Sequence, residues 1–320
     1  MTTATVTKST TFAASVVVFA LAAVISTFLP SYYAGLMIDG VIFSILALSL
    51  NLLLGYTGLP SLGHAAYFGV GAYVAGLFAI HVGDNFWLSA LAAVAFSMAV
   101  GAIFGAVALQ TVGVYFLMIT LALGQITWAI AFSWRSLTGG DDGLRGIPRP
   151  SLGLPGISLA DTNTYLVFVI VAAAVALLLM HAIVRSSFGQ ALRGIQQNPQ
   201  RMAALGYRVW LHKYLAFILA SGFAGFAGVL FAYYKGFMSP ESIGVVVSAE
   251  ITLMVIVGGA GTLLGPFVGA FLIVFLSHGV SSFTNRWSMI LGLLYIAVVL
   301  LAPNGLVALF RERLRGDKKA

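Results

Sequence analysis

Apolar runs of about 20 residues, the length a helix needs to cross a bilayer, recur along this chain from residue 12 to residue 310. Lipid offers a backbone no hydrogen-bond partner, so such a chain can only be a helical bundle or a closed barrel. A barrel would show alternating segments of about ten residues, whereas these runs are continuous. The expected fold class is an all-α polytopic membrane protein. Composition agrees: 60% of residues are hydrophobic and 8% are charged, against about 25% charged in soluble domains. Polar stretches reach only about 30 residues, too short to bury a core of their own. Residues 1–320 therefore read as a single transmembrane domain.

The runs divide into about ten spans, at 12–29, 36–54, 62–80, 87–110, 113–132, 164–184, 214–234, 246–262, 265–283 and 289–310. The 111–112 connection is the weakest, because Thr111 and Val112 offer little polar break. The run 12–29 follows a single Lys8 and lacks a small-x-small cleavage site, so it reads as a first span rather than a cleaved signal peptide. With both termini cytoplasmic, Lys and Arg divide 11 inside to 5 outside, as the positive-inside rule requires. The inner residues are Lys8, those of the loop 185–213, and those of the tail 311–320. The outer ones include Arg135, Arg145 and Arg149 in the loop 133–163, together with Lys235 and Arg286. Asp39 and Glu250, the acids inside these spans, are expected within about one turn of an outer end. Glu250 is expected in the first turn of its helix, where the macrodipole favours a carboxylate. The net charge of +7 is thus an orientation signal rather than a nucleic-acid footprint. With no cysteine, disulfides, thiolate chemistry and Cys-ligated metals are excluded.

The loop 185–213 carries specific local signals. Asn198 can cap a helix through its side-chain oxygen, and Pro199 fits the first helical position, where its missing N–H costs nothing. Gly206 stands where a left-handed C-terminal cap is wanted. A helix of about seven residues, 199–205, is the expectation, with Met202 and Leu205 offering apolar contacts. So short a helix is marginal alone in water and needs a surface to lie on. Two readings stay open: a docking helix for a soluble partner, or a solvated basic connector that holds the topology.

Two glycine-rich stretches stand out inside the apolar runs. GYTGLPSLGHAAYFGVGAY holds Gly55, Gly58, Gly63, Gly69 and Gly71, and VGGAGTLLGPFVGA holds Gly258, Gly261 and Gly265. Small residues let membrane helices approach closely, and broken helices can line a substrate path; both readings apply. The two stretches are similar to one another, which hints at an internal repeat. Gly265–Pro266 should end or kink a helix. His64 has no second His, Asp or Glu at metal-ligand spacing, and reads as an interior or interfacial group. The stretch LTGGDDGLRGIPRPSLGLPG is a turn-rich external loop, either a contact for a delivery protein or simply solvated. No constellation of nucleophile, base or metal ligands suggests an enzyme. The chain lacks GxxxxGK[ST], so it cannot hold ATP by that loop. The span centres are free of acids and bases, which argues against an ion-coupled secondary carrier or channel.

The order FGQALRGIQQNPQRMAALG resembles the cytoplasmic coupling loop of permease subunits from bacterial ABC importers. LNLLLGYTGLPSLGHAAYFGVGAY (50–73), GVYFLMITLALGQ (113–125), LTGGDDGLRGIP (137–148), VGGAGTLLGPFVGAF (257–271) and APNGL (302–306) resemble the branched-chain amino-acid branch of that family. The resemblance covers residues 40–306 in the family's order. Departures are Gln197, Gln200, Arg201 and Met202, where alanines and an acid are common, and Gln110 and Thr111, where a basic residue is common.

The resemblance implies a single permease domain, 1–320, multi-pass in the bacterial inner membrane, with a cytoplasmic coupling loop 185–213, an external loop 133–163 and a cytoplasmic tail 311–320. It implies that Gly189, Arg193, Asn198, Pro199, Arg201, Met202, Leu205 and Gly206 form the coupling surface for an ATPase. It implies that the regions of Gly58, His64, Gly258, Gly261 and Gly265 line the translocation path. The implied partners are two ABC ATPase subunits, a second homologous permease subunit, and a periplasmic or lipid-anchored substrate-binding protein. No nucleic acid and no cofactor of the chain's own are expected, ATP being held by the partner. The implied cargo is a branched-chain or related small amino acid, with urea or short amides as the alternative.

Overall fold

The computed structural model describes residues 30–83, 85–151 and 159–281, with single helical positions at 289, 292, 293 and 296. In chain order the helices are α1 Ser31–Thr57, α2 His64–His81, α3 Phe86–Ala108, α4 Val114–Ser133, α5 Arg135–Thr138, α6 Thr162–Arg185, α7 Ser187–Gln197, α8 Pro199–Ala204, α9 Val209–Lys235, α10 Val245–Gly258 and α11 Gly265–Ser281. Two short strands, β1 Leu144–Arg145 and β2 Phe237–Met238, pair antiparallel. Among the described residues five helices, α1, α3, α4, α6 and α9, are long and apolar enough to cross a membrane, while α10 and α11 are shorter apolar helices. A helix therefore stands at each expected span from 36–54 to 265–283. The expected spans 12–29 and 289–310, the APNGL stretch and the tail 311–320 fall outside the described segments.

Several boundaries differ from expectation for identifiable reasons. The α3–α4 connection is not 111–112 but 109–113. Thr111 bonds back to the Ala108 carbonyl, and Gly113 turns the chain at φ +62°. Helix α10 stops at Gly258 rather than 262, because 259–264 fold into a glycine turn with Gly259 and Gly261 at positive φ. Helix α9 begins at Val209, five residues before the apolar run at 214, with Trp210 stacked on Tyr214.

Helices α1 and α9 form the centre. Helix α9 packs against α2, α3 and α1, while α1 also meets α6, α10 and α11. Small residues permit these approaches. Gly71 lies on the backbone at Gly225, Gly228 lies on the Phe68 carbonyl, and a side chain at either site would collide with that backbone. Polar groups add further links between helices: Ser97 Oγ of α3 donates to the Tyr67 carbonyl of α2 at 3.2 Å, and Tyr165 OH of α6 to the Leu230 carbonyl of α9 at 2.6 Å.

The bundle has two distinct ends. Helix α9 runs about 40 Å at 1.5 Å per residue, from α8 to the β1–β2 pair. At the β-pair end, Phe86 N–H bonds the Ser151 carbonyl, and Asp161 caps α6 by accepting the Thr164 N–H at 3.0 Å. That bond holds the Asp161 carboxyl below its ordinary pKa. Here too Lys235 Nζ pairs with Asp39 Oδ2 at 2.9 Å. Because α1 begins at Ser31, Asp39 lies in its third turn, deeper than expected, and the lysine compensates a carboxylate only 7% exposed. Glu250 lies in the second turn of α10, not the first.

Candidate coupling hairpin and glycine loops

The hairpin between α6 and α9 is built from caps. Ser186 Oγ accepts the Gly189 N–H at 3.3 Å and starts α7. Helix α7 buries Gly189, Ala191, Leu192 and Ile195 and turns Gln190, Arg193, Gln196 and Gln197 outward. Gly189 sits on the Ile183–Val184 backbone, where a Cβ would come within 2.5 Å of it, so the corner requires glycine. Asn198 Oδ1 accepts the Arg201 N–H at 2.8 Å, with Pro199 at the first helical position, as expected. Helix α8 ends at Ala204, one residue short of the expected 205. Tyr207 N–H then bonds the Met202 carbonyl at 3.1 Å and Gly206 N–H the Ala203 carbonyl at 3.0 Å. These two bonds make a Schellman cap, and Gly206 at φ +89° is its left-handed residue.

Met202 does not face outward. Its thioether packs on Gly194 of α7 and locks α8 against that helix. The outward apolar surface is Leu205, 68% exposed, with Tyr207 and Trp210 beside it at 44% and 49%. Leu205 was foreseen; Tyr207 and Trp210 were not, although two aromatics flanking a basic residue in a polar loop were a legible signal. Arg193 is not a free surface charge, since its guanidinium lies 5.0 Å over the Tyr56 ring at the end of α1. Gly58 is the left-handed cap of α1 at φ +74°, and a Cβ there would meet Gln196 of α7 at 3.2 Å. Arg201 is exposed on α8.

Beyond this end of α1 the two glycine stretches meet. Asn51 Oδ1 accepts the Gly261 N–H at 2.8 Å, and Asn51 Nδ2 donates to the Thr262 carbonyl at 2.7 Å. Gly55 touches the Gly261 backbone with no room for a side chain, and Gly258 likewise abuts the Gly265 carbonyl. The loop 58–63 turns back along α4: Leu62 N–H bonds Thr120 Oγ1 at 3.3 Å, and Gly63 lies on the Thr120 carbonyl and Gly124. His64 opens α2 fully buried, its Nε2 bonded to Ser49 Oγ at 2.7 Å, and the Ala65 N–H bonds Ser248 Oγ of α10 at 3.1 Å. The structure thus gathers His64, Gly258, Gly261 and Gly265 around residues 49–55 of α1, while Gly58 belongs to the contact with α7. Asn51 is the residue that sequence reading missed; an amide inside the apolar run LNLLLG was its signal. Among the described residues no group of three His, Cys, Asp or Glu could hold a metal ion.

An apolar helical bundle with a capped polar hairpin at one end and broken glycine segments beside it is the architecture of a membrane permease. The family of branched-chain amino acid transport system permease components matches residues 32–300, and the chain belongs to that family. It is similar to the high-affinity branched-chain amino acid transport system permease protein LivM of Escherichia coli strain K12 and of Salmonella typhimurium strain LT2. Identity to each is 29% over 295 residues, covering 86% of this chain and 69% of the relative. The autoinducer 2 import system permease protein LsrC of Salmonella paratyphi B is 30% identical over 106 residues, covering 31% of this chain and 30% of that protein. No solved structure gives a significant match.

Proposed function

We propose that this chain forms the path by which a branched-chain or related small amino acid crosses the bacterial inner membrane, driven by ATP hydrolysed on partner subunits. The observation that carries the reading is the hairpin α7–α8. It presents Leu205, Tyr207 and Trp210 outward while Arg193 and Gln196 bind it to the end of α1. An ATPase that moves this hairpin moves α1, and α1 holds the glycine turn 259–264 through Asn51. The partner machinery would comprise two ATPase subunits, a second permease of this kind and an external binding protein. The hairpin end faces the cytoplasm, since it carries Arg185, Arg193, Arg201, Arg208 and Lys213; the β-pair end faces outward. The glycine segments 58–63 and 258–265 line the path.

The test is leucine uptake by proteoliposomes holding the complete transporter. Uptake should require ATP, and Trp210→Asp with Leu205→Asp should abolish both uptake and substrate-stimulated ATP hydrolysis while membrane insertion stays normal. Uptake by this chain alone under an ion gradient would overturn the reading. The partial similarity to the autoinducer 2 permease favours a second reading, another small polar solute, which competition with labelled leucine distinguishes.

A further inference from the structure

A cavity of about 560 Å³ opens between α4 and the start of α10, lined by Gln125, Trp128, Ser239, Glu241, Ser242, Gly244 and Val245–Val247. Its volume falls within the range of small-molecule sites, about 300–1,000 Å³. It lies at the β-pair end, directly after β2. The 3-10 turn Pro240–Ile243 is held by Ile243, which packs on Gly69 of α2 where no side chain would fit. On the other wall Trp128 is stacked on Phe132 at 5.1 Å. Gln125 directly follows Gly124, the residue that touches Gly63. Along α4 the cavity is thus one residue from the Gly63 contact, and α10 runs from the cavity to the glycine turn 259–264.

The lining combines one carboxylate, the partially positive N-terminus of α10 and an apolar body. Glu241 is exposed, and among the described residues it pairs with no lysine or arginine. Val245, Val246 and Val247 begin α10 with no side-chain cap, so their N–H groups remain free to meet an anion. Trp128 and the valine side chains supply an apolar wall. We infer that this cavity binds a zwitterionic α-amino acid with an apolar side chain: Glu241 takes the ammonium group, the first turn of α10 with Gln125 takes the carboxylate, and Trp128 with the valines takes the side chain. This inference rests on the transport reading above and adds to it a substrate contact on the permease itself, separate from any external binding protein.

The chain has no native cysteine, so Val246→Cys, and Ser239→Cys as a second reporter, each place a single thiol in the cavity. Purified full-length chain in proteoliposomes is reacted with a water-soluble maleimide over a millimolar range of ligand. Leucine should slow the reaction at both reporters and leave Val112→Cys, at the other end of the bundle, unaffected. The amine 3-methylbutylamine lacks the carboxylate and 4-methylpentanoate lacks the ammonium; both should protect far less. Glu241→Gln should weaken leucine protection about tenfold, the equivalent of one lost charge-assisted hydrogen bond, and Glu241→Asp should restore part of it. No protection by leucine at either reporter, equal protection by all three ligands, or full protection in Glu241→Gln would each overturn the site. Because the readout needs no ATPase, its failure is distinct from failure of the transport reading, which would show as absent ATP-driven uptake by the unaltered complex.

Discussion

The hairpin α7–α8 and the glycine loops of 58–63 and 259–264 lie side by side on α1, yet they are held by opposite means. Every bond that shapes α8 spans at most five residues: Asn198 to Arg201, Gly206 to Ala203, Tyr207 to Met202. The bonds that seat the glycine turn on α1 link residues 210 and 211 apart in sequence, and beside them Gly55 lies on the Gly261 backbone with no room for a side chain. A locally capped helix can be repositioned as a unit without unmaking its structure. A contact closed by backbone against backbone has one arrangement, and opening it breaks several bonds together. On the transport reading proposed above, the hairpin would act as a lever beside a gate, with Arg193 on Tyr56 as the link.

The comparison can be broken at the gate first. Gly258→Val places a branched side chain on the Gly265 carbonyl. We expect it to cost about 3 kcal/mol, the upper part of the overpacking range, seen as a large fall in the thermal midpoint of the purified chain. Asn51→Ala should come next, because it leaves the Gly261 N–H and the Thr262 carbonyl without partners. A cost of about 2 kcal/mol is expected, with faster hydrogen exchange at the Gly261 amide. If Asn51→Ala matched the unaltered chain in both measurements, the turn would not depend on α1.

At the lever the effects should be smaller and functional. Asn198→Ala removes one cap, worth about 1 kcal/mol. It should leave the thermal midpoint almost unchanged while lowering coupled ATP hydrolysis several-fold. A global loss of stability instead would show that the hairpin is part of the core.

The smallest expected effect lies at the far end, where Asp161 caps α6. The Thr164 N–H lowers the Asp161 pKa from the ordinary 3.8. A depressed folded-state pKa contributes stability that is complete above the unfolded value and is lost as pH falls through the folded one. Exchange at the Thr164 amide should therefore accelerate relative to its neighbours only below about pH 4, and Asp161→Asn should remove that dependence.

Much of this was legible because it is local. Apolar runs long enough to span lipid specify helices whatever their neighbours, and α1, α4, α6 and α9 fall where those runs lie. Asn198, Pro199 and Gly206 announced α8 because capping is chemistry between residues a few positions apart. Gly189 was marked by resemblance, and the structure adds why: the corner with Val184 has no room for a side chain. Tertiary packing decided the rest. Met202 reads from sequence as an outward contact and turns inward because Gly194 leaves it a seat. By resemblance Arg193 belongs to the coupling surface; its guanidinium lies on Tyr56, a residue 137 positions earlier in the chain. Asn51, Gly261 and the cavity around Glu241 depend on which helix lies beside which, and glycine carries no side chain from which its neighbour could be read. Local hydrogen bonding and hydrophobic length are properties of a segment; close approach and buried partnership are properties of a pair, and only the folded bundle makes the pairs.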